Sequence, residues 1–171
     1  MSLFTEAEIV YLQKQRLGRL ATVTRTGNPH VVPVNFLFNP EFESIDIVGR
    51  ELPTSLKYKN IVNNGRVAFV VDDIVSLSPY LARMIEIRGH AEIVRRSEND
   101  PLPHALEMSL EMRRIIARNV APEMIRIRAK RIISAGLGSN HLSMSRRTVE
   151  NDGSVTETHI PLQPIKFDEE K

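Results

Sequence analysis

Polar and apolar residues alternate along most of this chain with the two-residue period of β-strands. Residues 19–24 and 29–36 show the pattern most clearly, and between them Gly27 and Asn28 suit a tight turn. The sequence therefore predicts an antiparallel hairpin. Pro33 cannot donate a hydrogen bond to a ladder, which is typical of an edge strand. The alternative is that unpaired backbone beside Pro33 binds a flat polar ligand.

Several later segments also have the composition of strands. Residues 45–49 follow the hairpin closely and are predicted to extend it into a three-stranded meander. Residues 66–73 are almost continuously apolar, which indicates a central strand. Residues 83–94 alternate cleanly around Gly89, which indicates a bulge or a close approach of two backbones. The other segments of this kind are residues 125–135 and 154–160.

Two short helices are predicted from their end signals. Residues 5–8 form a capping box, which opens a helix that runs to Gly18, its predicted C-terminal stop. Residues 54–65 form a second helix, with Thr54 or Ser55 as its cap.

A third predicted helix opens at Asp100 and continues to Arg118. Its apolar surface is wide and rich in methionine. Core packing is the favoured interpretation, because most apolar stripes on helices face a core. The alternative is that this helix covers the open end of a barrel or a partner subunit.

Composition limits the classes of function. The 171 residues are 42% hydrophobic, enough for one sizeable core and most simply a single domain. The net charge is only +2, which does not call for a nucleic acid or a membrane surface. Cysteine is absent, so disulfides and thiolate chemistry are excluded. Neither a membrane-spanning run nor a signal peptide is apparent, which predicts a cytoplasmic protein.

Few motifs for chemistry stand out. Five histidines are scattered without the spacing of metal ligands, and no glycine-rich nucleotide loop is present. Asp72 and Asp73 are more typical of turn caps than of a catalytic pair. A basic stripe is interpreted as a solvated face rather than a nucleic-acid surface, given the low net charge. It consists of Arg126, Arg128, Lys130, Arg146 and Arg147.

Lys57 is the cation whose position in the sequence indicates a possible binding role. It falls in the first turn of the second predicted helix, where unpaired N–H groups already carry positive partial charge. Backbone N–H groups, a cap hydroxyl and a lysine together can hold a phosphate. The alternative is a solvated surface lysine.

The order and spacing of these segments are similar to those of a known family. The matching residues are 17–23, 27, 29–34, 45–47, 57–58, 63–64, 66–73 and 85–89. From Phe4 to Leu137 the chain resembles the pyridoxamine-phosphate-oxidase-like, FMN-binding split-barrel superfamily. Within it, the chain resembles the branch of deazaflavin (F-420)-dependent reductases.

The resemblance implies a mainly β fold with peripheral α: a six-stranded antiparallel split β-barrel of Greek-key type with short helices. It implies one domain over residues 1–137, with a helical insertion at about residues 100–119. Residues 138–171 would be a C-terminal extension, packed on the barrel or partly disordered. It also implies a homodimer with FMN or F-420 bound in grooves between the subunits.

The resemblance also assigns candidate binding residues, although no catalytic one. The family's phosphate-binding Ser-Arg-Lys matches Ser55 and Lys57, whereas Leu56 replaces the arginine and weakens the case for FMN. Arg83 and Met84 stand where oxidase relatives carry Arg-Gln and contact the cofactor across the dimer. The full set of cofactor-binding candidates is His30, Val31, Val32, Pro33, Val34, Val48, Gly49, Ser55, Lys57, Arg83 and Met84.

The favoured function is therefore a homodimeric oxidoreductase that transfers a hydride between F-420 or FMN and a small or planar organic substrate. One alternative is a non-catalytic split barrel that binds FMN, F-420 or heme. Another is a nucleic-acid binder with a basic surface. The arginine-rich C-terminal signature of true pyridoxamine-phosphate oxidases is not apparent, which disfavours that particular activity.

Overall fold

The chain forms one antiparallel sheet with helices around it. The computed structural model describes residues 2–97, 100–103, 107–137, 143–150 and 152–162. Within these residues the helices are α1 (Glu6–Lys14), α2 (Leu56–Asn63) and α3 (Leu110–Asn119), with a 3₁₀ turn at Leu52–Thr54. The strands are β1 (Leu17–Val23), β2 (Pro29–Asn35), β3 (Leu37–Asn39), β4 (Ser44–Ile47), β5 (Arg66–Leu77), β6 (Tyr80–Arg95), β7 (Glu123–Ala135), β8 (Ser143–Val149) and β9 (Val155–Pro161).

The sheet curls until its two edges meet. Its strand order is β2-β1-β5-β6-β7-β4-β3, and β8 and β9 form a hairpin added beside β7. β2 and β3 stand at opposite ends of this order, yet only Phe36 separates them along the chain. Because successive Cα atoms are about 3.8 Å apart, the two edges must come together at Phe36. Among the described strands β2 pairs only with β1, and β3 only with β4, so the barrel stays open along this seam.

The inward faces of the strands form a single apolar core. The rings of Phe36 and Phe69 meet edge to face at its centre, with centroids 5.0 Å apart. A Cβ on Gly18 would lie 2.1 Å from Cζ of Phe69, so only glycine fits there. Gly18 is thus a packing position within β1, and the prediction that it ends the first helix is wrong. α1 ends at Lys14.

The predicted three-stranded meander is also wrong. β4 pairs with β3 and β7 on the far side of the seam, not with β2. The reason is that the chain crosses from one edge of the sheet to the other at Phe36. The number of strands also differs from six, because the described residues include the short β3 and the β8–β9 hairpin. β8 was not predicted, since its residues are mostly polar and show no apolar alternation.

The third helix starts later than predicted. Asp100 does not open it, because its carboxylate accepts the backbone N–H of Ser97 at 2.6 Å and closes a turn. α3 begins after Ser109, whose hydroxyl accepts the N–H of Met112; residues 104–106 lie outside the described part. No residue of α3 is buried, and Leu110 is 71% exposed. The expectation of core packing for this helix is therefore wrong.

None of the described helices is long and apolar enough to cross a membrane. The division of the chain near Leu137 into a domain and an extension stays a prediction.

Candidate functional site

A groove of about 420 Å³ opens beside the seam of the barrel. The end of β2 forms one wall, the segment that follows β4 forms the other, and the start of α2 forms its base. We call it the β2–α2 groove. Its volume is in the range of small-molecule sites. The lining residues are Pro33, Val34, Asn35, Ile47, Val48, Gly49, Arg50, Glu51, Leu52, Thr54, Ser55 and Lys57.

The β2 wall is an edge strand, as Pro33 predicted. Pro33 lies opposite Arg19 in the ladder with β1, and no other described strand pairs with β2. Alternate backbone N–H and C=O groups of an edge strand point away from its only neighbour. This wall therefore offers backbone donors and acceptors to a ligand beside it.

The base of the groove is the positive end of α2. The Ser55 hydroxyl accepts the N–H of Tyr58 at 3.4 Å and donates to the carbonyl of Leu52 at 2.6 Å. Its proton is thus engaged within the chain. The first α-helical bond is donated by the N–H of Lys59 to the Ser55 carbonyl. The N–H groups of Leu56 and Lys57 precede that bond, as expected of the first turn of a helix.

Two cations line the groove, and only one was predicted. Neither Lys57 nor Arg50 has a side-chain hydrogen bond or ion pair with any described residue. Glu51 lines the same groove, so these three side chains carry a net charge of +1. Sequence reasoning missed Arg50 because it lies in an irregular turn without periodicity. The only sequence signal for Arg50 is its position seven residues before Lys57, just after the predicted strand at residues 45–49.

The structure brings six of the predicted binding residues into this groove: Pro33, Val34, Val48, Gly49, Ser55 and Lys57. Three others share β2 without lining the groove. Val31 is exposed, Val32 packs against the core, and the His30 ring contacts the Thr22 hydroxyl at 3.4 Å. The alternation of β2 places His30 and Val32 on the opposite face from Val31, so the five consecutive candidates do not form one surface.

Arg83 and Met84 lie on β6, outside the groove of the same chain. The guanidinium of Arg83 forms a two-point ion pair with Asp73, with Nε 3.0 Å from Oδ1. The same carboxylate accepts the hydroxyl of Tyr11 and the amide of Gln15, each at 3.1 Å. Met84 is half-buried on the outer face of the sheet and lies opposite Asp72 and Ala135.

The charges of this cluster change its titration. Arg83 holds the pKa of Asp73 below its ordinary value; burial opposes this effect, and the hydrogen bonds from Tyr11 and Gln15 reinforce it. Burial, followed by the Asp73 charge, raises the pKa of Tyr11, so the phenol stays protonated and donates. Within this chain, therefore, Arg83 joins α1 to β5 and β6.

Solved structures with the same fold support the description of the barrel. The chain is similar to a pyridoxamine 5'-phosphate oxidase-related, FMN-binding protein from Nostoc punctiforme, with a TM-score of 0.65, 12% identity, and coverage of 94% of this chain and 99% of that one. It is also similar to a conserved hypothetical protein from Mycobacterium tuberculosis, with a TM-score of 0.62, 23% identity, and coverage of 77% and 84%. At these identities the likeness shows the fold: a split barrel.

An open-seamed antiparallel barrel with a groove beside an edge strand defines a class, the split barrels. The pyridoxamine 5'-phosphate oxidase model matches residues 4–132. The chain is also 40% identical over 134 residues to a 5a,11a-dehydrotetracycline/5a,11a-dehydrooxytetracycline reductase of Streptomyces rimosus, which covers 78% of this chain and 84% of that protein. The chain belongs to the pyridoxamine 5'-phosphate oxidase family, a family of oxidoreductases.

Proposed function

We propose that this protein is a homodimeric reductase that uses F-420 or FMN bound in the β2–α2 groove. When bound, such a cofactor supplies a hydride to an organic substrate. The observation that carries the proposal is a pair of cations, Arg50 and Lys57, that have no side-chain partner in the described part of the chain and lie at the positive end of α2 beside an edge strand. This donor set fits a cofactor that carries a phosphate and a flat ring with polar edges.

Each wall of the groove has a role in this proposal. Lys57, Arg50 and the first N–H groups of α2 hold the phosphate. The edge backbone of β2 orients the ring by hydrogen bonds, and Val48 and Gly49 pack against it. Arg50 replaces the arginine that the family carries at the position of Leu56. Ser55 shapes the helix start rather than binding through its proton, which Leu52 already accepts.

The substrate we propose is a planar, conjugated polycyclic compound. Support comes from the relative named as a dehydrotetracycline reductase, at 40% identity. Reduction of a conjugated C=C bond adds a hydride to one carbon and a proton to the other. We assign the proton to solvent, because Glu51 is the only acid among the described residues that lines the groove and it lies beside two cations.

The partner subunit completes the site in this proposal. Met84 and its neighbours on the outer face of β6 would lie over the ring bound by the other subunit. Sedimentation analysis of the purified protein tests this arrangement, and a strictly monomeric protein that still turns over substrate would contradict it.

The first prediction concerns Lys57. Lys57→Ala is expected to weaken binding of F-420 or FMN at least tenfold, about 1.4 kcal/mol, because the phosphate loses a charged partner. Titration of the apoprotein with each cofactor, followed by fluorescence, measures the change. Lys59→Ala is the matched control, since Lys59 lies on the same helix, is exposed and does not line the groove.

Equal affinities for Lys57→Ala and the parent would contradict the assignment of this groove. A parallel titration with heme addresses the non-catalytic alternative. Tight binding of heme, or binding of F-420 without reduction of a model enone, would favour a binding module over a reductase.

A further inference from the structure

A second and larger cavity lies on the outer face of the sheet, away from the β2–α2 groove. Its volume is about 700 Å³. We call it the β5–β8 basic cavity. The residues that line it are Arg66, Val67, Ala68, Arg88, Gly89, His90, Lys130, Arg131, Thr148 and Val149.

The charge of this cavity has one sign. Arg66, Arg88, Lys130 and Arg131 line it, and none of the described aspartates or glutamates does. Arg88 pairs with Glu86 and the Nε of Arg131 donates to the Thr148 hydroxyl. The side chains of Arg66 and Lys130 have no hydrogen-bond or ion-pair partner in the described part of the chain. The like charges of Arg66, Lys130 and Arg131 repel one another, and an anion bound between them would relieve that repulsion.

An irregularity of the sheet brings the cations together. Arg88 lies opposite Arg131 and Gly89 opposite Ala129, so Lys130 is an extra residue in a β-bulge. In a regular strand two consecutive side chains point to opposite faces, whereas Lys130 and Arg131 line the same cavity. A Cβ on Gly89 would lie 1.9 Å from the carbonyl oxygen of Arg128, so the bulge requires glycine opposite it.

We propose that the β5–β8 basic cavity binds a small polyanion, a molecule with several phosphate or carboxylate groups. The arginines can form paired, directional hydrogen bonds to such groups, and the lysine attracts them as a compact positive charge. A small ligand fits better than a nucleic acid, because the site is concave and, among the described residues, no Phe, Tyr or Trp lines it for base stacking. The β5–β8 basic cavity shares no lining residue with the β2–α2 groove.

Calorimetric titrations at fixed ionic strength test the proposal, with tripolyphosphate as the phosphate probe and citrate as the carboxylate probe. At least one probe is expected to bind the purified protein, and affinity should fall as salt is added. The double variant Lys130→Gln/Arg131→Gln is expected to weaken binding at least tenfold. Arg146→Gln is the matched control, because Arg146 is exposed on β8 and does not line the cavity.

Lys57→Ala should leave this binding unchanged, which separates the cavity from the groove. The single variant Lys130→Gln, at an exposed position, tests the same site if the double variant has a lowered Tm. Absence of binding by both probes at millimolar concentration would overturn the proposal, as would equal weakening by Arg146→Gln. Tighter binding of a short single-stranded RNA than of either probe would replace it with a nucleic-acid surface.

Discussion

Lys57 and Arg50 line the same groove, but different features of the fold place them there. Lys57 follows a helix cap, and its position in the first turn is apparent from the residues around it. Arg50 joins it because the turn after β4 folds over the start of α2. The two cations therefore lie in one groove although seven residues separate them along the chain.

Gly49 allows a test of where the ring lies. A Cβ there would approach only the Leu52 side chain, at 3.8 and 3.9 Å, which is ordinary contact. Gly49→Ala is therefore expected to change the free energy of unfolding by less than about 1 kcal/mol. If the ring packs on this stretch, the added methyl group takes its space and cofactor affinity falls about tenfold.

Thermal melts and cofactor titrations of the same Gly49→Ala preparation separate these two effects. Unchanged affinity together with unchanged stability would place the ring elsewhere in the groove.

At the scale of elements, a buried ion pair joins two strands, β4 and β7, that the sequence pattern did not predict to be neighbours. Asp46 of β4 accepts both Nε and Nη2 of Arg126 on β7, at 2.9 and 2.7 Å. The Arg126 side chain is 8% exposed and that of Asp46 4%. Asn39 and Ser44 donate to the same carboxylate. The interpretation of Arg126 as part of a solvated stripe is wrong, because the β3–β4 hairpin covers it.

Asp72 and Asp73 are consecutive residues of β5, but their side chains have different partners. Asp73 connects α1, β5 and β6 through Tyr11, Gln15 and Arg83. Asp72 pairs with Arg19, and both side chains are half exposed. Neither caps a turn, since β5 continues to Leu77.

This difference predicts a dependence of stability on pH. The pKa of Asp73 is lowered in the folded state, so its contribution is present above the ordinary aspartate pKa of about 3.9 and is lost as the pH falls through the lower folded-state pKa. Asp73→Asn is expected to destabilise the protein by about 1–3 kcal/mol near pH 7. The difference from the parent should shrink below about pH 4.

Urea unfolding between about pH 3 and pH 7 measures this effect, with Asp72→Asn as the control. The control should lose under about 1 kcal/mol, because exposed pairs contribute little. Equal losses for both variants would show that the cluster around Asp73 contributes no more to the free energy of unfolding than an exposed ion pair does.

The apolar pattern of α3 did not predict whether its side chains are buried, because burial depends on other elements of the fold. Met112 and Ile115 are spaced as a core stripe would be, yet they are 47% and 49% exposed. No described element packs over them.

At the scale of the whole molecule, an ion pair joins the first helix to the β8–β9 hairpin. Glu8 of α1 accepts Nη2 of Arg147 on β8, and their side chains are 1% and 6% exposed. Glu8 also accepts the N–H of Thr5 in the capping box. The Nε of Arg147 is buried without a partner among the described residues. The β8–β9 hairpin is thereby tied to the first helix as well as to β7.

Glu8→Gln is expected to lower the free energy of unfolding by about 3–5 kcal/mol, because the Arg147 charge stays buried after its main partner is neutralised. The glutamine oxygen can still accept from Thr5, so the variant isolates the ion pair from the cap. Urea unfolding at neutral pH measures the change.

Glu6→Gln is the matched control for Glu8→Gln, since Glu6 is an exposed acid in the same helical turn. Similar small losses for the two variants would show that the attraction between Glu8 and Arg147 is cancelled by the cost of removing both charges from water.

Local patterns were sufficient wherever neighbours along the chain decide the outcome. The capping box at Thr5, the β1–β2 hairpin, the Ser55 cap and the glycine of β6 that lies opposite the β7 bulge follow from turn chemistry and alternation. The same patterns failed at Gly18, at residues 45–49 and at Arg126. At each of these positions the partner is distant in the sequence: Phe69, β7 and Asp46.

The sequence by itself determined the mainly β class, the edge character of β2 and the placement of Lys57 at a helix start, since each depends on backbone preferences within a few residues. Only the tertiary structure decided that β2 and β3 meet at an open seam, that Arg50 lies beside Lys57 and that Lys130 and Arg131 share a cavity. Those arrangements depend on which distant strands pair and on their register. Periodicity along one strand carries no information about either.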